Sequence, residues 1–179
     1  MSRPVHPLLV RLRSATAEAH HGLERQTDSQ RILDHRLTPA EYDRLIDWQA
    51  HAHRALEPLV LGYERGDYRY RSRLPHFGDA RATIVPAEPD PATAIGTAYV
   101  LEGGSLGGSM IHRRLLANEH LVSRRPFTFY AAQADFGVRQ WRAYVAHLDG
   151  LSLTEEEMSR VVSAAVAGFQ TFGRLWSST

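Results

Sequence analysis

The sequence predicts an all-α fold, a single-domain helical bundle over residues 1–179. Apolar residues recur at i, i+3, i+4 and i+7 in most of the long segments between turn-forming residues. Two segments open with a capping box, at Thr38 and at Thr154. No strand alternation, internal repeat or low-complexity tract competes with that reading. With 43% hydrophobic and 23% charged residues, the chain suits one substantial core.

The first helix runs from Pro7 to about Arg25, its stripe made of Leu8, Leu9, Leu12, Ala15, Ala19 and Leu23. The second is capped by Thr38, with Pro39 at the first helical position and Glu41 closing the box, and extends to about Val60. From Tyr63 to Pro75 no period is evident, ATIVP at 82–86 is a short extended candidate, and Pro86–Pro91 is a rigid connector. Asp90 and Pro91 begin a third helix that carries TAYVLEGGSLGGSMIHRRL to about Ala117 as one piece. A fourth covers Ala132 to Leu148 and stops at Gly150. The last starts at Thr154 and is expected to bury Val161, Val162, Ala165, Phe169, Phe172 and Trp176.

Composition excludes several chemistries. A net charge of +1 gives no overall field for nucleic acid or an anionic membrane, so charge-based recognition has to be local. There are 0 cysteines, which removes thiol nucleophiles, disulfides, iron–sulfur ligation and covalent c-type heme. All 21 basic residues are Arg, so no Schiff-base or P-loop lysine exists. The 10 histidines are the abundant candidates for a metal ligand or proton carrier. No membrane span or signal peptide is evident, and a cytoplasmic location is expected.

Gly103, Gly104, Gly107 and Gly108 form two pairs spaced four apart inside the third helix. Each costs a helix interior roughly 1 kcal/mol relative to Ala, so the bare stripe needs a reason. Close approach of a flat ligand is one; tight helix packing or a loop between shorter helices are the others. On the first helix, His20 falls at the edge of the apolar stripe and His21 faces water, about 100° further round. Glu24 and Arg13 share the flank of His20. An imidazole held by a carboxylate at the margin of an apolar pocket suits a single axial iron ligand, or is an ordinary boundary histidine. A di-iron centre needs Glu-x-x-His pairs on two helices, and the sequence holds one, Glu18-x-x-His21, so that centre is disfavoured. His51 and His53 are expected to be exposed.

Together these features resemble a known family. Leu12-Arg13-Ser14-Ala15-Thr16 followed by His20 and Glu24 resembles the proximal helix of heme oxygenases, and Tyr99-Val100-Leu101-Glu102-Gly103 leading into Leu106-Gly107-Gly108 is similar to the distal helix of their bacterial, bacteriophytochrome-associated branch. The helix around Trp141-Arg142 and the Phe169 to Trp176 pattern also fit, so the resemblance spans nearly the whole chain. It implies a heme oxygenase-like fold, with heme b as substrate and cofactor. By that resemblance His20 is the iron ligand and Glu24 its hydrogen-bonding neighbour. Gly103, Gly104, Gly107 and Gly108 lie over the distal face, Gly103 and Gly107 with a catalytic role. Arg13 and Arg142 pair with the propionates, and Phe169 lines the pocket. The sequence departs from the family pattern at Gly104, where a polar residue is usual, and at Val138, where some members keep a second basic residue and Arg139 is the substitute.

The resemblance implies oxidative opening of heme to biliverdin with release of CO and iron. The reaction uses O2 and electrons from an external donor such as ferredoxin or flavodoxin with its reductase. A bacteriophytochrome is a possible recipient of the bilin. A neutral His ligand gives less push toward O–O cleavage than a thiolate, which favours attack on the ring itself. A non-enzymatic heme carrier or sensor on the same scaffold is the alternative, kept open by Gly104. Thiamin-type hydrolysis on a related fold lacks its cysteine nucleophile. The run Arg65, Arg69, Arg71 and Arg73, interleaved with Tyr68 and Tyr70, reads as a solvated loop, with donor docking as the other option.

Overall fold

The computed structural model describes residues 6–64, 66–78 and 90–178; the extended candidate at 82–86 and Arg65 lie outside them. The described residues form α1 (Pro7–Gln26), α2 (Gln30–Leu33), α3 (Pro39–Leu56), α4 (Pro91–Leu106), α5 (Gly108–Ala117), α6 (Thr128–Asp149) and α7 (Glu155–Ser178), with short 3-10 turns after α3, before α4 and before α6. The architecture is all-α, as expected. Both capping boxes form: Glu41 N–H donates to Thr38 Oγ1, Glu157 N–H donates to Thr154 Oγ1, and each glutamate accepts from its threonine's N–H. Asp90 accepts from Thr93 N–H at the start of α4. None of the helices among the described residues is long and apolar enough to cross a membrane.

The central helix is α4, which packs most extensively on α7 and then on α6. Its crossing with α7 is close enough to require glycine. A Cβ on Gly96 would lie 2.2 Å from the Val161 carbonyl oxygen, and one on Gly168 3.0 Å from Val100 Cγ2. Trp48 Nε1–H donates to the Phe172 carbonyl at 2.8 Å, tying α3 to α7, and Tyr144 O–H donates to the Ile95 carbonyl, tying α6 to α4. These buried bonds fix the walls of the site described below.

Several expectations change. The helix expected from Asp90 to Ala117 is broken at Gly107 into α4 and α5, which lets α5 turn onto α6. The helix expected from Ala132 begins one turn earlier, at Thr128. On α1, Ala15 is exposed while Thr16 is buried, because Thr16 Oγ1 donates to the Leu12 carbonyl and so needs no water. The buried line is therefore Leu8, Leu9, Leu12 and Thr16, and His20, one turn on, is exposed at its edge. Finally, Arg73, Tyr68 and Tyr70 are buried, not solvated: Arg73 pairs with buried Glu102, Tyr68 donates to the same carboxylate, and Tyr70 donates to Glu57. On α7, Val161, Ala165 and Phe172 are buried, whereas Val162, Phe169 and Trp176 are half-buried.

Candidate active site

A cavity of about 320 Å³ lies among α1, α3, α4, α5, α6 and α7, within the size range of small-molecule sites. Leu23, Trp48, Val100, Leu101, Ile111 and Phe172 give it apolar walls. Arg13 and His20 enter from α1, Gln49 and His53 from α3, and Gln133 and Trp141 from α6. Gly103 and Gly104 form the part of the wall contributed by the end of α4. A Cβ on Gly103 would meet only Trp141 Cζ3 at 3.8 Å, and one on Gly104 would meet nothing within 4 Å. That stretch of helix surface is bare toward open space.

His20 Nδ1 lies 3.6 Å from Glu24 Oε1 one turn along α1, and the edge of its ring meets Phe169 with centroids 5.9 Å apart. The contact with Phe169 orients the imidazole from the α7 side. Its own helix is anchored nearby, where Thr16 Oγ1 and Tyr99 O–H sit 3.4 Å apart across α1 and α4. His21 is exposed and does not line the cavity.

Of the residues singled out in the sequence, Arg13, His20, Gly103, Gly104 and Phe169 share this cavity. Glu24 stands behind His20. Gly107 sits at the break between α4 and α5, with Ile111 Cδ1 3.7 Å from where its Cβ would be. Gly108 is packed on α6, where a Cβ would fall 2.5 Å from Gln133 Cβ. Tight helix packing, one of the explanations for the glycine stripe, thus holds at Gly108. Arg142 is exposed on α6, next to Trp141 but outside the lining, while Arg139 pairs with Asp135 on the same helix.

His53 was not expected here. It is 3% exposed, and its Nδ1 lies 2.9 Å from Glu57 Oε1, a carboxylate that also accepts from Ser72, Tyr70 and the Arg73 N–H. Burial pushes the imidazole below its ordinary value and outweighs the pull of Glu57 toward the charged form. Burial alone would push the Glu57 carboxyl up, but its hydrogen bonds with His53, Ser72 and Arg73 bring it below its ordinary value. The pair is therefore a neutral imidazole donating Nδ1–H to a carboxylate, with Nε2 left as an acceptor. The sequence signal was the His-x-x-x-Glu spacing on a helix whose buried arc, from Trp48 round to Glu57, covers roughly half its circumference.

Comparison with known proteins now bears on this geometry. The heme oxygenase family profile matches residues 69–178. This chain belongs to the heme oxygenase family. The heme oxygenase PigA of Pseudomonas aeruginosa is 27% identical over 188 residues, covering 94% of this chain and 91% of the relative. No solved structure matches. As a heme oxygenase, the chain is an enzyme whose substrate class is heme. The family match covers α4 to α7, while α1 with His20 lies before it and is spanned by the likeness to PigA.

Proposed function

We propose that the cavity between α1 and the bare end of α4 takes heme b, with His20 as the residue that would hold its iron, and that the product is biliverdin, with CO and iron released. The observation that carries this reading is the pairing, in one apolar cavity, of a carboxylate-backed histidine with a glycine surface that faces open space. When bound, heme supplies both the iron that activates O2 and the ring carbon that is oxidised. Glu24 Oε1, 3.6 Å from His20 Nδ1, favours the proton on that nitrogen by its charge, which would leave Nε2 as the ligating atom and raise its basicity. Gly103 and Gly104 would leave room beside the bound group for a small ligand such as O2. Gln49, Gln133 and neutral His53 offer uncharged hydrogen-bonding groups to ordered water, in place of the polar side chain that Gly104 lacks. Arg13 at the rim, and Arg142 beyond Trp141, attract the propionates. Gly107 and Gly108 act at one remove, by setting the turn of α5. Electrons come from an external ferredoxin or flavodoxin system, and a bacteriophytochrome is a fitting recipient of the bilin.

A single aerobic turnover of the heme complex with reductant, followed by product chromatography, tests this. Conversion to biliverdin is the expected result in the wild type and in His21→Ala. His20→Ala should lose the histidine-ligated ferric spectrum and most turnover, with partial rescue by imidazole. A heme spectrum that survives reduction in air would instead make the chain a carrier.

A further inference from the structure

On the exposed flank of α1 where it borders the cavity, His20, His21 and Glu24 each offer one ligand atom, and these atoms lie within 4.8 Å of one another. All three side chains are exposed. The His20 and His21 rings meet edge to face at 6.0 Å, and Glu24 Oε1 lies 3.6 Å from His20 Nδ1. Tetrahedral coordination at about 2.0–2.2 Å puts ligand atoms about 3.3–3.6 Å apart. Exposed side chains close the remaining gap by torsion alone, with no movement of the helix. The site stays open to water for the fourth position.

We infer that His20, His21 and Glu24 bind a first-row transition-metal ion, and that this ion competes with heme for His20. The second half rests on the heme reading given above. Two imidazoles and one carboxylate suit Zn²⁺, Cu²⁺ or Ni²⁺, whereas Mg²⁺ and Ca²⁺ prefer oxygen donors. A neutral imidazole has one unprotonated nitrogen, so His20 serves one metal at a time. Once drawn onto the triad, His20 is withdrawn from the cavity and Glu24 no longer backs it. The enzyme thereby gains a brake: an excess of such ions holds back heme loading. His21, which has no place in the cavity, gives the adjacent-histidine pair its purpose.

The test uses the heme-free chain with zinc as probe. Competition against a chromogenic chelator should give one tight zinc per chain, weakened about tenfold or more in His21→Ala and in Glu24→Gln. Heme uptake followed by absorbance should be slowed or weakened by zinc in the wild type. His21→Ala should take up heme as the wild type does without zinc, and be indifferent to zinc. Undiminished zinc affinity in His21→Ala, or normal heme uptake by the zinc-loaded wild type, would overturn the inference. Failure of the heme reading looks different: His20→Ala would then take up heme normally in zinc-free buffer, and the competition would fall with it.

Discussion

His53 Nδ1 lies 2.9 Å from Glu57 Oε1, one helical turn away, with both side chains withdrawn from solvent. Both groups titrate below their ordinary values, so both link stability to pH with the same sign. The unfolded chain takes up a proton at His53 below pH 6.5 while the folded protein resists it, so stability is present above that value and is lost as pH falls. Glu57 adds a second loss below 4.5, where the unfolded carboxyl protonates first. Denaturant unfolding between about pH 4 and 8 should show a slope of up to about 1.4 kcal/mol per pH unit from His53. His76, also held low by burial, adds to the same slope. His53→Gln should flatten the upper part of the curve; an unchanged curve would mean that the imidazole titrates alike in the folded and unfolded chain, and a steeper one that it is charged in the folded protein.

Buried Arg73 and Glu102 form an ion pair beneath the end of α4, with Tyr68 donating to Glu102 and Arg73 reaching Ser105. Removing only the cation leaves a buried carboxylate, which costs about 3–5 kcal/mol. Burial already pushes Glu102 above its ordinary value despite Arg73, so Arg73→Met raises it further. The variant should therefore be less destabilised at pH 5 than at pH 8. Arg73→Met with Glu102→Gln should recover much of the loss. Equal destabilisation at both pH values would show that losing Arg73 does not shift the titration of Glu102.

Arg13 lines the cavity while Arg142 does not. For an exposed charge-assisted contact, the loss on Arg13→Ala is about 1 kcal/mol, roughly fivefold in heme Kd. Arg142→Ala should change heme affinity less. If chromatography of the bilin isomers and the affinities rank the two the other way round, the propionates lie at the α6 face.

Helices announced by caps and stripes were legible: Pro7, Thr38, Asp90 and Thr154 mark where α1, α3, α4 and α7 begin. The break at Gly107 was legible only as one of three readings of the glycine pairs, because Gly107 keeps helical dihedrals and the turn comes from α5 docking on α6 through Gly108. In the site, His20 was legible from its flank position, though the inward line passes through Thr16, whose hydroxyl is satisfied by its own helix. His53 and Arg73 were missed for a common reason. A charged or polar side chain reads as solvated until folding closes its surroundings: Tyr70, Ser72 and Arg73 are brought onto the Glu57 partner of His53, and Glu102 is brought to Arg73.

The glycine pairs separate packing from the site by the sign of a single substitution. At Gly108 an added Cβ would overlap Gln133 Cβ at 2.5 Å, so Gly108→Ala should destabilise the chain by about 1–3 kcal/mol through the α5–α6 contact. At Gly104 an added Cβ meets nothing within 4 Å, and the residue is inside a helix. Gly104→Ala should therefore stabilise the heme-free protein by about 1 kcal/mol. The same methyl group stands on the bare wall of the cavity, so heme affinity or single-turnover yield of biliverdin should fall while thermal stability rises. Thermal unfolding of the heme-free variant and heme titration give the two halves of the comparison. A Gly104→Ala protein that is more stable and turns heme over at the wild-type rate would show that this end of α4 does not face the substrate.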